Sequence, residues 1–242
     1  NFEYDNMNEF PGDEWGDPSL PTFVNYVEGI YVGYRYYETA AEEGLINYDE
    51  TVMYPFGYGL SYTEFEQKMG ELKKSADAIS FDVTVTNKGD VAGKDIVEVY
   101  YNPPYTNGGV EKASANLIEF FKTDMLEPGE SQTITITFDT EKMASYDTYG
   151  AKAYVLEEGN YKISIRSDSH NIIDEKTYTV DKTIVYDESN PRSTDSITAT
   201  NQFAHAEGNV TYLSRADGFA NYEEATKAPK SLSMDEEYKA QF

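Results

Sequence analysis

Ile79, Phe81, Val83 and Val85 alternate with Ser80, Asp82, Thr84 and Thr86, the period-two pattern of a half-buried strand. A second strand is predicted through Ile96-Val97-Glu98-Val99-Tyr100-Tyr101, stopped by Pro103 and Pro104. Leu117 to Phe121 suggests a third. Ile134, Ile136 and Phe138 alternate with threonines in a fourth, and Tyr161, Ile163 and Ile165 follow Gly159 in a fifth. Tyr178 with Val180 closes the series. Turn chemistry separates them: Asn87-Lys88-Gly89-Asp90, where Asn and Gly tolerate positive φ, and Glu127-Pro128-Gly129-Glu130. About seven short β-branched strands spaced by such turns predict a mainly β fold, an antiparallel sandwich of the immunoglobulin type. Residues 62–186 form this expected domain.

The flanks read differently. In residues 1–61, Pro11, Gly12, Gly16, Pro18 and Pro21 keep the opening irregular. A short helix is expected over 34–43, with Tyr34, Tyr37, Ala40 and Ala41 sharing a face. An aromatic and glycine-rich segment at 54–62 follows with no periodic core around it, so its apolar surface calls for a neighbour. Residues 187–242 read as an extended arm that starts in the linker-like Ser189-Asn190-Pro191-Arg192-Ser193-Thr194. Leu232, Met234 and Tyr238 can line a short helix there, and Asn209-Val210-Thr211 fits a glycosylation sequon.

Composition narrows the function classes. The 242 residues carry a net charge of −25, which argues against nucleic acid as a partner, because phosphate contacts need clustered Lys and Arg. Residues 1–70 hold 14 acidic and 2 basic side chains, so about half the excess sits in the first third. Within it, Asp13, Glu14 and Asp17 lack the ligand spacing of a calcium loop. No run reaches the length of a membrane span, which makes a membrane an unexpected partner. There is no cysteine, hence no disulfide and no thiolate nucleophile or metal ligand. No cofactor or metal motif is expected. The compartment stays open between cytoplasmic and secreted for a soluble bacterial protein.

Two segments in fixed order carry a resemblance: Val27-Glu28-Gly29-Ile30-Tyr31-Val32-Gly33-Tyr34-Arg35-Tyr36-Tyr37 and Tyr54-Pro55-Phe56-Gly57-Tyr58-Gly59-Leu60-Ser61-Tyr62. They resemble the signature of glycoside hydrolase family 3, the β-glucosidase-type enzymes. The likeness continues through Thr86 to Asp95, Leu117-Ile118-Glu119-Phe120-Phe121-Lys122 and Leu126-Glu127-Pro128-Gly129-Glu130-Ser131, covering residues 10 to about 182. It implies that residues 1–61 are the tail end of an α/β-sandwich domain with its connector. It implies that 62–186 are a fibronectin-III-like sandwich and that 187–242 lead toward a barrel domain. Thr211 to Asp217 is similar to the connector of circularly permuted members, in which the barrel follows the sandwich.

Members of that family cleave glycosidic bonds with retention, using an aspartate nucleophile on the barrel and an acid/base mostly on the α/β domain. Neither motif stands in this chain, so the isolated segment is expected to be inactive, an accessory part bracing catalytic domains that are its partners. Glu28, Tyr34, Arg35, Tyr36, Phe56, Tyr58, Tyr62 and Arg215 are the expected domain-interface residues. The alternative is a carbohydrate-binding module that stacks an oligosaccharide on Tyr100, Tyr101 and Tyr105 beside the Pro103 to Gly109 loop. Only His170 and His205 offer imidazoles, and no Ser-His-Asp arrangement is supported.

Overall fold

The structure, a computed structural model, describes residues 25–75, 77–201 and 210–227, together with Glu236 and Ala240. The acidic cluster at Asp13, Glu14 and Asp17, the helix through Leu232, Met234 and Tyr238, His205 and the sequon's Asn209 lie outside the described residues.

The first sheet is built from β1 (Phe65–Met69), β2 (Lys73–Lys74), β3 (Ala78–Asn87) and β6 (Ser131–Asp139). In it, β3 pairs antiparallel with each of the others. The second has the order β10-β9-β4-β5, with β4 (Ile96–Asn102), β5 (Asn116–Lys122), β9 (Gly159–Arg166) and β10 (Ile172–Val180). A smaller sheet joins β7 (Ser145–Asp147), β8 (Ala153–Leu156) and β11 (Ile184–Tyr186). The alternating residues expected from the sequence are the ones that meet between the layers. Ile79, Phe81, Val83 and Val85 of β3 face Val97, Val99, Ile163 and Ile165 in one core. Each such side chain contributes about 1.5–3 kcal/mol when removed from water, so a one-residue register slip would cost the whole set.

The two expected turns work by different means. Gly129 takes a φ of 81°, and Glu130 N–H donates to the Glu127 carbonyl at 2.9 Å, as the sequence suggested. Asn87 and Gly89 are not in the positive-φ region. Asn87 is instead fully buried at the end of β3. Its Oδ1 accepts from Thr63 Oγ1 at 2.7 Å, and its Nδ2 donates to the Val91 and Leu126 carbonyls, each at 2.8 Å. The side chain substitutes for ladder partners that the turning backbone lacks.

Helix α1 (Tyr34–Glu42) lies where expected, followed by the single turn α2 (Tyr48–Thr51). Its buried face is Tyr36, Glu38, Thr39 and Ala40, not the Tyr34, Tyr37, Ala40 and Ala41 stripe. Glu38 and Thr39 are polar, but Glu38 accepts from Ser169 and Thr39 from the Ser114 N–H, which makes burial tolerable. A second, smaller cluster forms where Tyr31, Tyr36 and Ala40 meet Ala113, Leu213, Phe219 and Ala225. The latter three belong to the segment that carries α3 (Ala216–Phe219) and α4 (Tyr222–Ala225). Among the described residues, no helix is long and apolar enough to cross a membrane.

Candidate functional site

The site starts from an exception to alternation. Val97, Val99 and Tyr101 of β4 point into the core, so Glu98 and Tyr100 must point out, yet both are buried. Register places Glu98 opposite Arg166 and Tyr100 opposite Ser164 on β9, and these four side chains make a floor on the outer sheet face. The Tyr100 hydroxyl donates to Glu98 Oε2 at 2.8 Å. Arg166 lies 5.0 Å over the Tyr100 ring and donates to Ser164 Oγ at 2.9 Å, the Ser169 carbonyl at 2.6 Å and Asn102 Oδ1 at 2.7 Å. Burial pushes the Glu98 carboxyl up, with the Tyr100 hydrogen bond opposing and the Asp168 charge adding to the rise. Burial, then Glu98, holds the Tyr100 phenol far above its ordinary value. Burial lowers the Arg166 guanidinium despite the acids around it.

Helix α1 and the 167–171 loop cover this floor from one side. Glu38 of α1 accepts from Ser169 Oγ at 3.0 Å and pairs with His170 Nδ1 at 2.9 Å, while the His170 ring stacks on Tyr48 of α2 at 3.7 Å. Asp168 shapes the loop by accepting the His170 and Asn171 backbone N–H groups at 2.9 and 2.8 Å. Burial would raise its carboxyl, but these bonds and the Asn171 side chain hold it below the ordinary range.

From the other side comes the 53–62 strip. Ser169 N–H donates to the Phe56 carbonyl at 2.7 Å, and Tyr34 stacks on the Phe56 ring at 5.1 Å while meeting Tyr100 edge-on at 6.0 Å. Gly57 has a φ of 88°, and a Cβ there would fall 2.5 Å from a Glu98 carboxylate oxygen, so only glycine fits. The strip's backbone is therefore pinned while its apolar side chains are turned outward. Met53, Tyr54, Phe56 and Tyr58 are exposed, as are Leu60 at 89% and Tyr62 at 98%.

A second junction ties the arms together. Leu213 N–H donates to the Val27 carbonyl at 2.8 Å. Arg215, nearly buried, bonds Glu43 Oε1 at 2.6 Å, Glu42 Oε1 at 2.9 Å and the Lys112 carbonyl at 3.1 Å, and lies 4.2 Å over the Tyr105 ring. Glu111 accepts from the Tyr31 and Ser214 hydroxyls and from Arg215 N–H. Burial, followed by Glu111, drives the Tyr31 phenol well above its usual range. Lys112 is buried against Glu157 and donates to the Pro104 carbonyl at 2.7 Å.

The expected interface residues thus divide. Tyr34 and Phe56 meet at the first junction, and Tyr36 and Arg215 at the second. Tyr58 and Tyr62 face outward. Glu28 is half-buried with its carbonyl on Tyr31 N–H at 2.9 Å. Arg35 is half-buried and its Nε has no hydrogen-bond partner among the described residues. Tyr100 and Tyr101 are buried, and Tyr105 is capped by Arg215, so these tyrosines do not assemble an open stacking edge. Glu98, Arg166, Glu38, His170 and Glu111 were missed as site residues. The available signal was a charged residue at an otherwise apolar strand, as at Glu98.

Ser169 and His170 both engage Glu38 rather than each other, which leaves the hydroxyl without an imidazole base. Glu98 is sealed beneath Gly57. No cluster of His, Asp or Glu able to hold a metal ion occurs among the described residues.

Residues 95–169, which include the floor and the start of the 167–171 loop, match the model of the fibronectin type III-like domain. The sandwich is a domain of that kind. Beyond the Fn3-like domain, Beta-glucosidase A of Butyrivibrio fibrisolvens is 38% identical over 201 residues, 75% of this chain and 23% of that protein. The Beta-glucosidase of Ruminococcus albus is 39% identical over 180 residues, 71% of this chain and 18% of that protein. Among solved structures, β-glucosidase 3B from Thermotoga neapolitana in complex with glucose superposes with a TM-score of 0.60 at 32% identity. That match covers 74% of this chain and 23% of that one. The GH3 β-glucosidase of Bifidobacterium adolescentis gives a TM-score of 0.58 at 33% identity, over 72% of this chain and 24% of that one. The chain spans less than a quarter of the length of these relatives.

Proposed function

We propose that this chain is the accessory, bracing part of a family 3 type β-glucosidase, and that its exposed strip docks on the enzyme's catalytic part. The observation that carries the reading is the strip itself. Its backbone is fastened at Phe56 to buried Ser169, beside the polar floor, while Met53, Tyr54, Tyr58, Leu60 and Tyr62 project outward within ten residues. Scattered exposed apolar residues need no explanation, but a rigidly presented run of them marks an interface. The likeness to β-glucosidases in which such a segment is about a fifth of the protein gives the partner its class. Bracing of this kind acts on rate through position, since a displacement of about 1 Å in a reacting group costs roughly a hundredfold. The alternative of a sugar-stacking module has no comparable support, because Tyr100 and Tyr101 are buried and Arg215 already lies over the Tyr105 ring.

The test uses the full-length enzyme that carries this segment. Leu60→Asp combined with Tyr62→Asp alters side chains that touch little within the chain, so the segment alone should melt unchanged. In the full enzyme the pair is expected to lower the melting midpoint and to reduce kcat roughly tenfold or more. Full activity with an unaltered midpoint would refute the docking role.

A further inference from the structure

At the end of β10 away from the α1 junction lies a groove of about 770 Å³, within the size range of small-molecule sites. The 3₁₀ turn Thr140–Met143 after β6, the last residues of β10, β11 and the 190–193 segment form its walls. Asp77, Asp139, Glu141 and Asp181 line it, against one lining lysine, Lys182. Of these acids, Glu141 accepts from Ser193. The carboxylates of Asp77, Asp139 and Asp181 have neither a hydrogen-bond donor nor a cation among the described residues. Nor do the acids converge tightly enough to hold a metal ion.

Acidic lining alone would describe a solvated surface. What distinguishes this groove is a pair of phenols. Tyr178 and Tyr186 are each only 9% exposed, with rings in the sandwich core, and both line the groove. Neither hydroxyl has a hydrogen-bond partner among the described residues. Burial raises both phenols, and nearby acids add to the rise: Asp181 and Asp77 at Tyr178, Glu141 and Asp77 at Tyr186, where Arg192 opposes in part. The neighbouring cations do not pair with these three carboxylates. Lys74 lies 4.5 Å over the Tyr178 ring, and Arg192 is bidentate on Asp195 at 2.9 Å and stacked on Tyr154 at 3.6 Å.

The geometry points to a binding site for a small aliphatic polyamine, an occupant with several ammonium groups along a flexible chain. Ammonium groups are donors without acceptors, and this groove offers acceptors in excess: three free carboxylates and two protonated phenols. A sugar is a poorer fit, because the ring faces on which it would stack are packed inside the core. The acids are spread along the wall rather than focused, which suits separated charges and not a single metal ion.

Titration of the 242-residue chain with spermidine at low ionic strength, followed by calorimetry and by NMR of the tyrosine rings, tests this. The expected result is one site, perturbation centred on Tyr178 and Tyr186, and affinity roughly tenfold weaker in Asp77→Asn/Asp181→Asn. Tyr186→Phe, and separately Tyr178→Phe, should weaken it several-fold although the net charge is unchanged. Asp49→Asn/Glu50→Gln on the distant α2 should leave it intact. Absence of binding would overturn the proposal. So would multi-site uptake insensitive to these variants, which is condensation on an acidic surface. Saturable binding of cellotetraose or calcium chloride with the same variant sensitivity would overturn the assignment to a polyamine.

Discussion

Glu98 carries the most consequential single conflict in the domain: a carboxylate on the covered face of a strand that is buried on both sides. Because burial raises its pKa above the ordinary 4.5, the folded protein binds the proton more tightly than the unfolded chain. Its contribution is therefore most favourable below that ordinary value and is lost as pH rises through the folded one. Glu98→Gln keeps an acceptor for the Tyr100 hydroxyl and removes the charge. Thermal melts from pH 4 to 8 should show the variant more stable than the parent near neutrality, with the gap closing toward pH 4. Parallel profiles for the two proteins would refute this account of the floor.

At the scale of elements, the 210–227 segment buries Leu213, Phe219 and Ala225 in the second cluster and is fastened there by a few polar anchors. Arg215 is the principal one, joining α1 through Glu42 and Glu43 to the 103–115 loop through the Lys112 carbonyl and the Tyr105 ring. Arg215→Met preserves the aliphatic stem and removes every donor. Its partners are half-exposed acids, so the loss is moderate, about 1–3 kcal/mol of local opening free energy. Amide exchange in residues 213–226 should then accelerate roughly ten- to a hundredfold, with β3 and β9 unchanged. Uniform acceleration across the sandwich would mean that the arm is not a separable latch, and no acceleration would mean that Arg215 does not hold it.

For the whole molecule, charge is the dominant long-range term. At −25 the chain repels itself, and few of its acids are paired deeply enough to escape screening. Exposed pairs such as Lys68 with Glu66 and Lys73 with Asp82 contribute little that salt can remove. Raising sodium chloride to about 0.3 M, where the Debye length falls to roughly 6 Å, should therefore raise the melting midpoint. A midpoint that stays level or drops would show that attractive surface pairs outweigh the net repulsion.

The strands of the sandwich were legible residue by residue, because alternation along β3, β6 and β9 is a local signal that burial between two layers turns directly into structure. The strip at 54–62 was also visible, since aromatic residues without a periodic core cannot bury themselves. What lies on the outer face of β4 was not. Apart from the charge of Glu98 within an apolar strand, nothing local marks Glu98, Tyr100 and Arg166 as covered, for their burial depends on α1, α2 and the 167–171 loop arriving from distant parts of the chain. The same holds for Arg215 and Tyr105, joined across 110 positions, and for the acids that share a groove with Tyr178 and Tyr186. Periodicity determined which side chains leave water; only the packing of remote segments decided which polar groups they would meet there, because a hydrogen-bond partner supplied through space leaves no imprint on sequence spacing.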